Sequence, residues 1–144
     1  MLKLMSAMPS LTTTLKADSG VCALSGIVLL LASQPIAALI APNAPALFGL
    51  TLPNLLEILG FGLITVAIAV YLVASRRSIN HTAVWLIIGL EAVWIVDSVI
   101  LLFWANDVLT LLGKELIIDG AIAVLIFMLL EIRGLNTLRR SQAS

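Results

Sequence analysis

The sequence predicts an all-α membrane protein, built as an up-down bundle of four membrane-spanning helices. Hydrophobic residues make up 61% of the 144-residue chain and charged residues only 11%. Soluble domains are nearer about half apolar and about a quarter charged. Four apolar stretches approach the roughly 20 residues that a helix needs to cross a bilayer. None of them alternates with the period of a barrel strand, so the spans should be helices.

The four predicted spans are separated by short polar or proline-rich segments. We place them at residues 21–41, 55–74, 83–104 and 116–132. The last stretch is short, so we expect its helix to begin further back, near Val108. Residues 1–20 are predicted to form a cytoplasmic, disordered segment, and residues 133–144 a basic cytoplasmic tail.

The third span has a tryptophan at each end. Trp85 and Trp104 are 19 residues apart, or about 28 Å along a helix, which matches the distance between the two interfaces that Trp prefers. Trp94 lies near their midpoint. On this scale Glu91 and Asp97 lie only about 4–5 Å from the bilayer centre.

The basic residues predict the orientation. With four spans, only Lys114 falls on one side, and the other side holds Lys3, Lys16, Arg76, Arg77, Arg133, Arg139 and Arg140. Positively charged loops stay in the cytoplasm, so both termini should be cytoplasmic in a cell inner (plasma) membrane.

A cleaved signal peptide is the alternative for the first span, with residues 21–32 as its apolar region. The apolar run continues to Ala41, and prolines crowd the candidate cleavage sites, so we favour a retained span. Cleavage would leave three helices in the same orientation. Prolines also interrupt the uncharged connection Pro42–Asn54, which we expect to lie in the interface or to cap the bundle.

Several classes of function are disfavoured. The formal net charge is zero, so no nucleic-acid partner is expected. A single cysteine, Cys22, excludes an internal disulfide, and a single histidine, His81, leaves no bis-histidine haem site. No catalytic triad, zinc ligand set or phosphate-binding loop is evident. We therefore expect no enzyme and no cofactor or metal, and the lipid bilayer is the main partner.

Acidic residues inside the spans are the main candidates for function. A carboxylate at a helix centre costs roughly 2.5–3.5 kcal/mol on insertion scales. Glu91 and Asp97 are 120° apart on their helix with Trp94 midway, so we predict that this face points into the bundle. Glu57 and Asp119 enter from the outer side, and with Asp97 they are predicted to line an outward-opening polar pocket above Glu91.

Two interpretations of these acids remain open. Intramembrane acids often mark ion pathways, which favours a site for a cation or protons. Alternatively, they hold helices together or meet a basic residue of a partner subunit. We predict an accessory subunit or a protein that binds a small ligand or ion, alone or as a homo-oligomer. A cation- or proton-coupled transporter or channel is the alternative.

Two segments carry a resemblance to known proteins. They are Leu59–Ala67 (LGFGLITVA), followed by Tyr71 and Arg76, and Leu90–Ser98 (LEAVWIVDS). They resemble a group of small four-span bacterial integral membrane proteins of unknown function. The resemblance covers about half of the chain and brings no activity with it. Its matching positions are Glu91, Trp94 and Ser98, whereas Asp97 departs from the pattern.

Overall fold

The computed structural model of the protein describes residues 10–143, and the side chains of residues 10–140. Within this range the chain is all-helical. Its five helices are α1 (Leu11–Leu31), α2 (Ser33–Ile40), α3 (Leu52–Ala74), α4 (His81–Trp104) and α5 (Leu111–Ala143). Three of them, α1, α3 and α4, are long and apolar enough to cross a membrane.

The helices α3 and α4 begin within three residues of the second and third predicted spans and end with them. Local sequence explains where they start. Pro53 lies in the first turn of α3, where its missing N–H costs no hydrogen bond. Asn80 caps α4, and its Oδ1 accepts hydrogen bonds from the backbone N–H groups of Thr82 and Ala83 at 2.9 and 3.3 Å.

The first predicted span differs most from the structure. Its helix begins at Leu11, ten residues before the predicted start at Val21, because Ser10 caps it by accepting a hydrogen bond from the N–H of Thr13 at 3.2 Å. Residues 11–20, part of the segment predicted to be disordered, therefore belong to a helix, and residues 1–9 lie outside the described range. The helix breaks at Ala32, three residues before Pro35, because a proline ring clashes with the carbonyl group four residues earlier in a continuous helix.

The helix α1 runs antiparallel to α3. The Ser19 hydroxyl donates a hydrogen bond to the carbonyl oxygen of Ala67 at 2.8 Å. Two turns further along α1, Gly26 lies against Gly60 of α3. A Cβ added to Gly60 would come within 2.8 Å of the Gly26 carbonyl oxygen. This close approach of two helix backbones is typical of membrane interfaces lined by small residues.

The helix α5 packs against both α1 and α4. Near one end of α1, Gly134 contacts Leu11. Near the other end of the molecule, Thr110 bonds α2 to the start of α5. Its hydroxyl lies 2.7 Å from the carbonyl oxygen of Leu39, and its N–H donates to the carbonyl oxygen of Ile40 at 2.8 Å. The α5 helix is thus antiparallel to α1 and is held at both ends.

The best-packed part of the molecule is an apolar layer between the helices. It consists of Leu11, Leu15, Val70, Ala74, Val84, Ile87, Ile88 and Leu135. These residues come from α1, α3, α4 and α5, so four helices meet there. Helices α1 and α4 have no pair of Cα atoms within 8 Å in the described chain, and α3 and α4 approach each other only over a short length. The bundle is therefore more open between α1 and α4 than between α1 and α3.

Candidate functional site

Three carboxylates from three different helices come together next to the apolar layer. They are Asp18 of α1, Glu91 of α4 and Glu131 of α5, and one oxygen of each lies within 4.8 Å of one oxygen of each of the others. In the part of the chain that the structure describes, this is the one group of three such ligand atoms. We call these three residues the carboxylate cluster.

The cluster is enclosed by protein. The exposed fraction is 0% for Glu131, 6% for Asp18 and 9% for Glu91. Both carboxylate oxygens of Glu91 and both of Glu131 are buried without a hydrogen-bond donor in the structure. Buried polar groups in proteins nearly always have partners, so four orphaned oxygens at one place require an explanation.

Each carboxylate reaches the cluster because of its position on a helix. On α4 the buried residues Val84, Ile87, Ile88 and Ser98 lie within about 60° of Glu91 around the helix axis. Glu91 is thus at the centre of the inward face, about 60° from where the sequence placed that centre, at Trp94. Asp97 is 120° from Glu91 and is exposed.

The neighbours of Asp18 extend a polar track along α1. One turn towards the N-terminus, Thr14 is buried and its hydroxyl has no hydrogen-bond partner. One turn in the other direction, the Cys22 thiol donates to Oδ1 of Asp18 with an Sγ···Oδ1 distance of 3.7 Å. Residues four apart share a helix face, so these three side chains form one line on α1.

The level of the cluster in the bundle follows from α4. Glu91 lies six residues past Trp85, or about 9 Å deeper than the interface that this tryptophan is expected to mark. Asp18 lies at about the same level as Glu91, although the first predicted span begins three residues after Asp18.

Like charges at this spacing repel strongly. With an effective dielectric constant of about 20, two unit charges 4.8 Å apart repel by about 3.5 kcal/mol. An apolar surrounding adds a desolvation cost for each ionised group. Three bare carboxylates are therefore an unfavourable state, and a proton or a cation bound between them would relieve it.

The other predicted site residues do not join the cluster. Glu57 accepts a hydrogen bond from the Ser33 hydroxyl at 3.0 Å, which ties α2 to α3. Ser98 is buried and donates to the carbonyl oxygen of Trp94 at 2.8 Å, while the Trp94 side chain is half-buried. Asp119, like Asp97, is exposed. In the described part of the chain, Glu57, Asp97 and Asp119 therefore do not form a group of three close carboxylates.

Two members of the cluster were missed by sequence reasoning. Glu131, at the end of the fourth predicted span, is not among the candidate site residues that the sequence indicates, and its oxygens are buried without a hydrogen-bond partner. Asp18 was placed in the disordered segment. A signal for Asp18 was present, because Leu11, Leu15, Asp18 and Cys22 recur at three- and four-residue spacing on one helix face.

Comparison with known proteins assigns neither a family nor a function to the chain. No protein-family model matches the chain, and neither curated protein sequences nor solved structures gave a match. We therefore infer function from the geometry of the carboxylate cluster.

Proposed function

We propose that this chain is a non-enzymatic integral membrane protein that binds a cation in the carboxylate cluster, in exchange for protons. The observation that supports it most directly is the set of orphaned oxygens on Glu91 and Glu131, which lie beside Asp18 with no donor or counter-charge bonded to them. A polar group in this setting is stabilised by a ligand that the protein itself does not supply.

The proposal places four helices, α1, α3, α4 and α5, across a cell inner membrane with both termini in the cytoplasm. The antiparallel packing of α5 on α1 and its contacts along α4 support a crossing by α5 as well. The exposed Arg76 and Arg77, in the connection between α3 and α4, would then lie on the cytoplasmic side. Because α1 supplies Asp18, the proposal requires α1 to be retained rather than cleaved.

Infrared difference spectroscopy on the purified protein in lipid tests the proposal. Protonated carboxyl groups and ionised carboxylates absorb at different frequencies, so exchange of protons for a cation is visible directly. Adding Na⁺, K⁺, Ca²⁺ or Mn²⁺ separately, at constant pH, should convert protonated carboxyl groups to carboxylates with at least one of these ions. The change should be smaller in Glu91→Gln and in Glu131→Gln.

Glu115→Gln is the matched control, because Glu115 is an exposed acid of α5 outside the cluster. It should keep the full spectral change. The proposal is refuted if no cation alters the carboxyl bands of the wild-type protein. It is also refuted if the two cluster variants respond like the control.

Coupled transport of a cation or protons is the second candidate function. It is favoured because the three carboxylates come from three different helices. A small shift of α4 relative to α1 would take Glu91 away from Asp18 and open the cluster. Reconstituted liposomes with a pH gradient would show cation flux that Glu131→Gln abolishes. Binding without flux would leave the protein as an ion-binding membrane component.

A partner subunit or a second copy of the chain is also part of the proposal. Asp97 and Asp119 are exposed on the two helices α4 and α5. An acid facing lipid is costly, so it is expected to meet protein or water. Native mass spectrometry after gentle detergent extraction should therefore show a homo-oligomer or a larger protein in fixed proportion to the chain.

A further inference from the structure

We infer that the cation held by the carboxylate cluster is a hard divalent ion of the Ca²⁺ or Mn²⁺ type. This inference rests on the proposed function and names the class of ion that the site would bind. It follows from the ligand atoms, the charge of the site and the distances within it.

The ligand atoms are all carboxylate oxygens. Asp18, Glu91 and Glu131 together offer six oxygens, and oxygen ligands suit Mg²⁺, Ca²⁺ and Mn²⁺, whereas softer metals prefer sulfur or imidazole. The Cys22 thiol touches Asp18 but does not belong to the group of mutually close ligand atoms. The donor set therefore selects against a thiophilic metal.

The formal charge of the site favours two positive charges over one. Three ionised carboxylates carry three negative charges. A divalent ion leaves one, which a single retained proton neutralises, whereas a monovalent ion leaves two, which need two retained protons. Because no described donor is bonded to Glu91 or Glu131, the remaining charge would have no compensation in the protein.

The distances suit an ion shared by the three residues. Two oxygens bound to one ion by bonds of about 2.3–2.6 Å lie no more than about 5 Å apart. Each pairwise separation, within 4.8 Å, falls inside this limit, and three equidistant oxygens can share one ion at separations up to about 4.5 Å. Mg²⁺ needs shorter bonds and gives up its water reluctantly. The buried oxygens of Glu91 and Glu131 leave little room for those waters, so Ca²⁺ and Mn²⁺ should bind better than Mg²⁺.

Mn²⁺ is the probe that tests this inference. Titrated into the purified full-length protein in lipid nanodiscs, it should lose the sharp electron paramagnetic resonance signal of the free aqueous ion as one Mn²⁺ binds per chain. Ca²⁺ should compete, Mg²⁺ should compete more weakly, and K⁺ should not compete. Loss of a ligand in Glu131→Gln or Glu91→Gln should weaken binding by roughly tenfold or more.

Glu115→Gln again serves as the control and should bind Mn²⁺ like the wild type. Far-ultraviolet circular dichroism checks that each variant is folded, and the competition series on the wild type needs no variant at all. If Na⁺ or K⁺ shifts the carboxyl infrared bands and Mn²⁺ does not bind, the divalent assignment is overturned and the proposed function survives. If Mn²⁺ binds equally to all variants, the assignment to this cluster is overturned.

Discussion

Replacing Gly60 by alanine would place a methyl group between two helix backbones. A Cβ at this position would lie 2.8 Å from the Gly26 carbonyl oxygen, 3.1 Å from Cγ of Leu30 and 3.2 Å from Cβ of Leu29. The first distance involves backbone, which cannot rotate away, so α1 and α3 would have to separate. Overpacking of this kind typically costs about 1–3 kcal/mol.

Gly62 provides a matched control two residues away on the same helix. A Cβ added there meets no heavy atom within 4 Å. Both substitutions gain the same helix propensity, about 1 kcal/mol in aqueous hosts, so their difference isolates the steric cost. Gly60→Ala should therefore unfold more easily than Gly62→Ala by about 1–3 kcal/mol.

Reversible unfolding in mixed micelles of a mild detergent and dodecyl sulfate, followed by far-ultraviolet circular dichroism, measures this difference. Equal free energies of unfolding for the two variants would show that α1 and α3 are not in backbone contact at Gly60. That result would refute the packing described for this pair of helices and, with it, the position of Asp18.

Two further predictions concern the connections between helices. Thr110→Val should lower the free energy of unfolding by about 1–2 kcal/mol, measured in the same micelles, because the hydroxyl both caps α5 and bonds to the end of α2. In a Cys22→Ser background, a cysteine at Asn106 should react with a membrane-impermeant maleimide added to intact cells. A cysteine at Ser78 should react only after permeabilisation, and the reverse pattern would contradict the proposed orientation.

The sequence predicted the bounds of α3 and α4 better than those of α1. The runs that became α3 and α4 are uniformly apolar and are bounded by Pro53 and Asn80, so local signals were sufficient. The charges of Lys16 and Asp18 moved the predicted start of the first span to Val21. In the structure Lys16 is exposed and Asp18 is buried among other helices, and this difference depends on tertiary packing.

The site was predicted only in part for a related reason. A single sequence places Glu91 near the middle of a span, but it does not say which helices lie beside that span. Glu131 meets Glu91 because α5 packs along α4, and Asp18 meets both because α1 packs against α5. The neighbouring helices also determine which face of α4 points inward. The centre of that inward face is therefore Glu91 rather than Trp94.

The surroundings of the cluster bear on how its charge is balanced. On each of α1, α4 and α5, an apolar residue lies about one turn from the carboxylate, towards the same end of the bundle. These pairs are Leu15 with Asp18, Ile87 with Glu91, and Leu135 with Glu131. This apolar layer separates the cluster from Arg76, Arg77, Arg139 and Arg140. Arg133 lies between the levels of Glu131 and Leu135 but is exposed on the outside of the bundle, and Glu131 has no hydrogen-bond partner.

In a soluble protein, burial of such a layer from water would help to offset the repulsion between the carboxylates. Inside a bilayer the alternative to burial is lipid, which is as apolar as leucine, so the layer contributes mainly through packing. Three ionised pairs at this spacing would repel by about 10 kcal/mol in total at an effective dielectric constant of about 20. That is as large as the whole stability of many folded domains, about 5–15 kcal/mol. The folded bundle therefore requires neutralisation at the cluster itself, by protons or by a cation, and exchange between the two is the chemistry that its geometry allows.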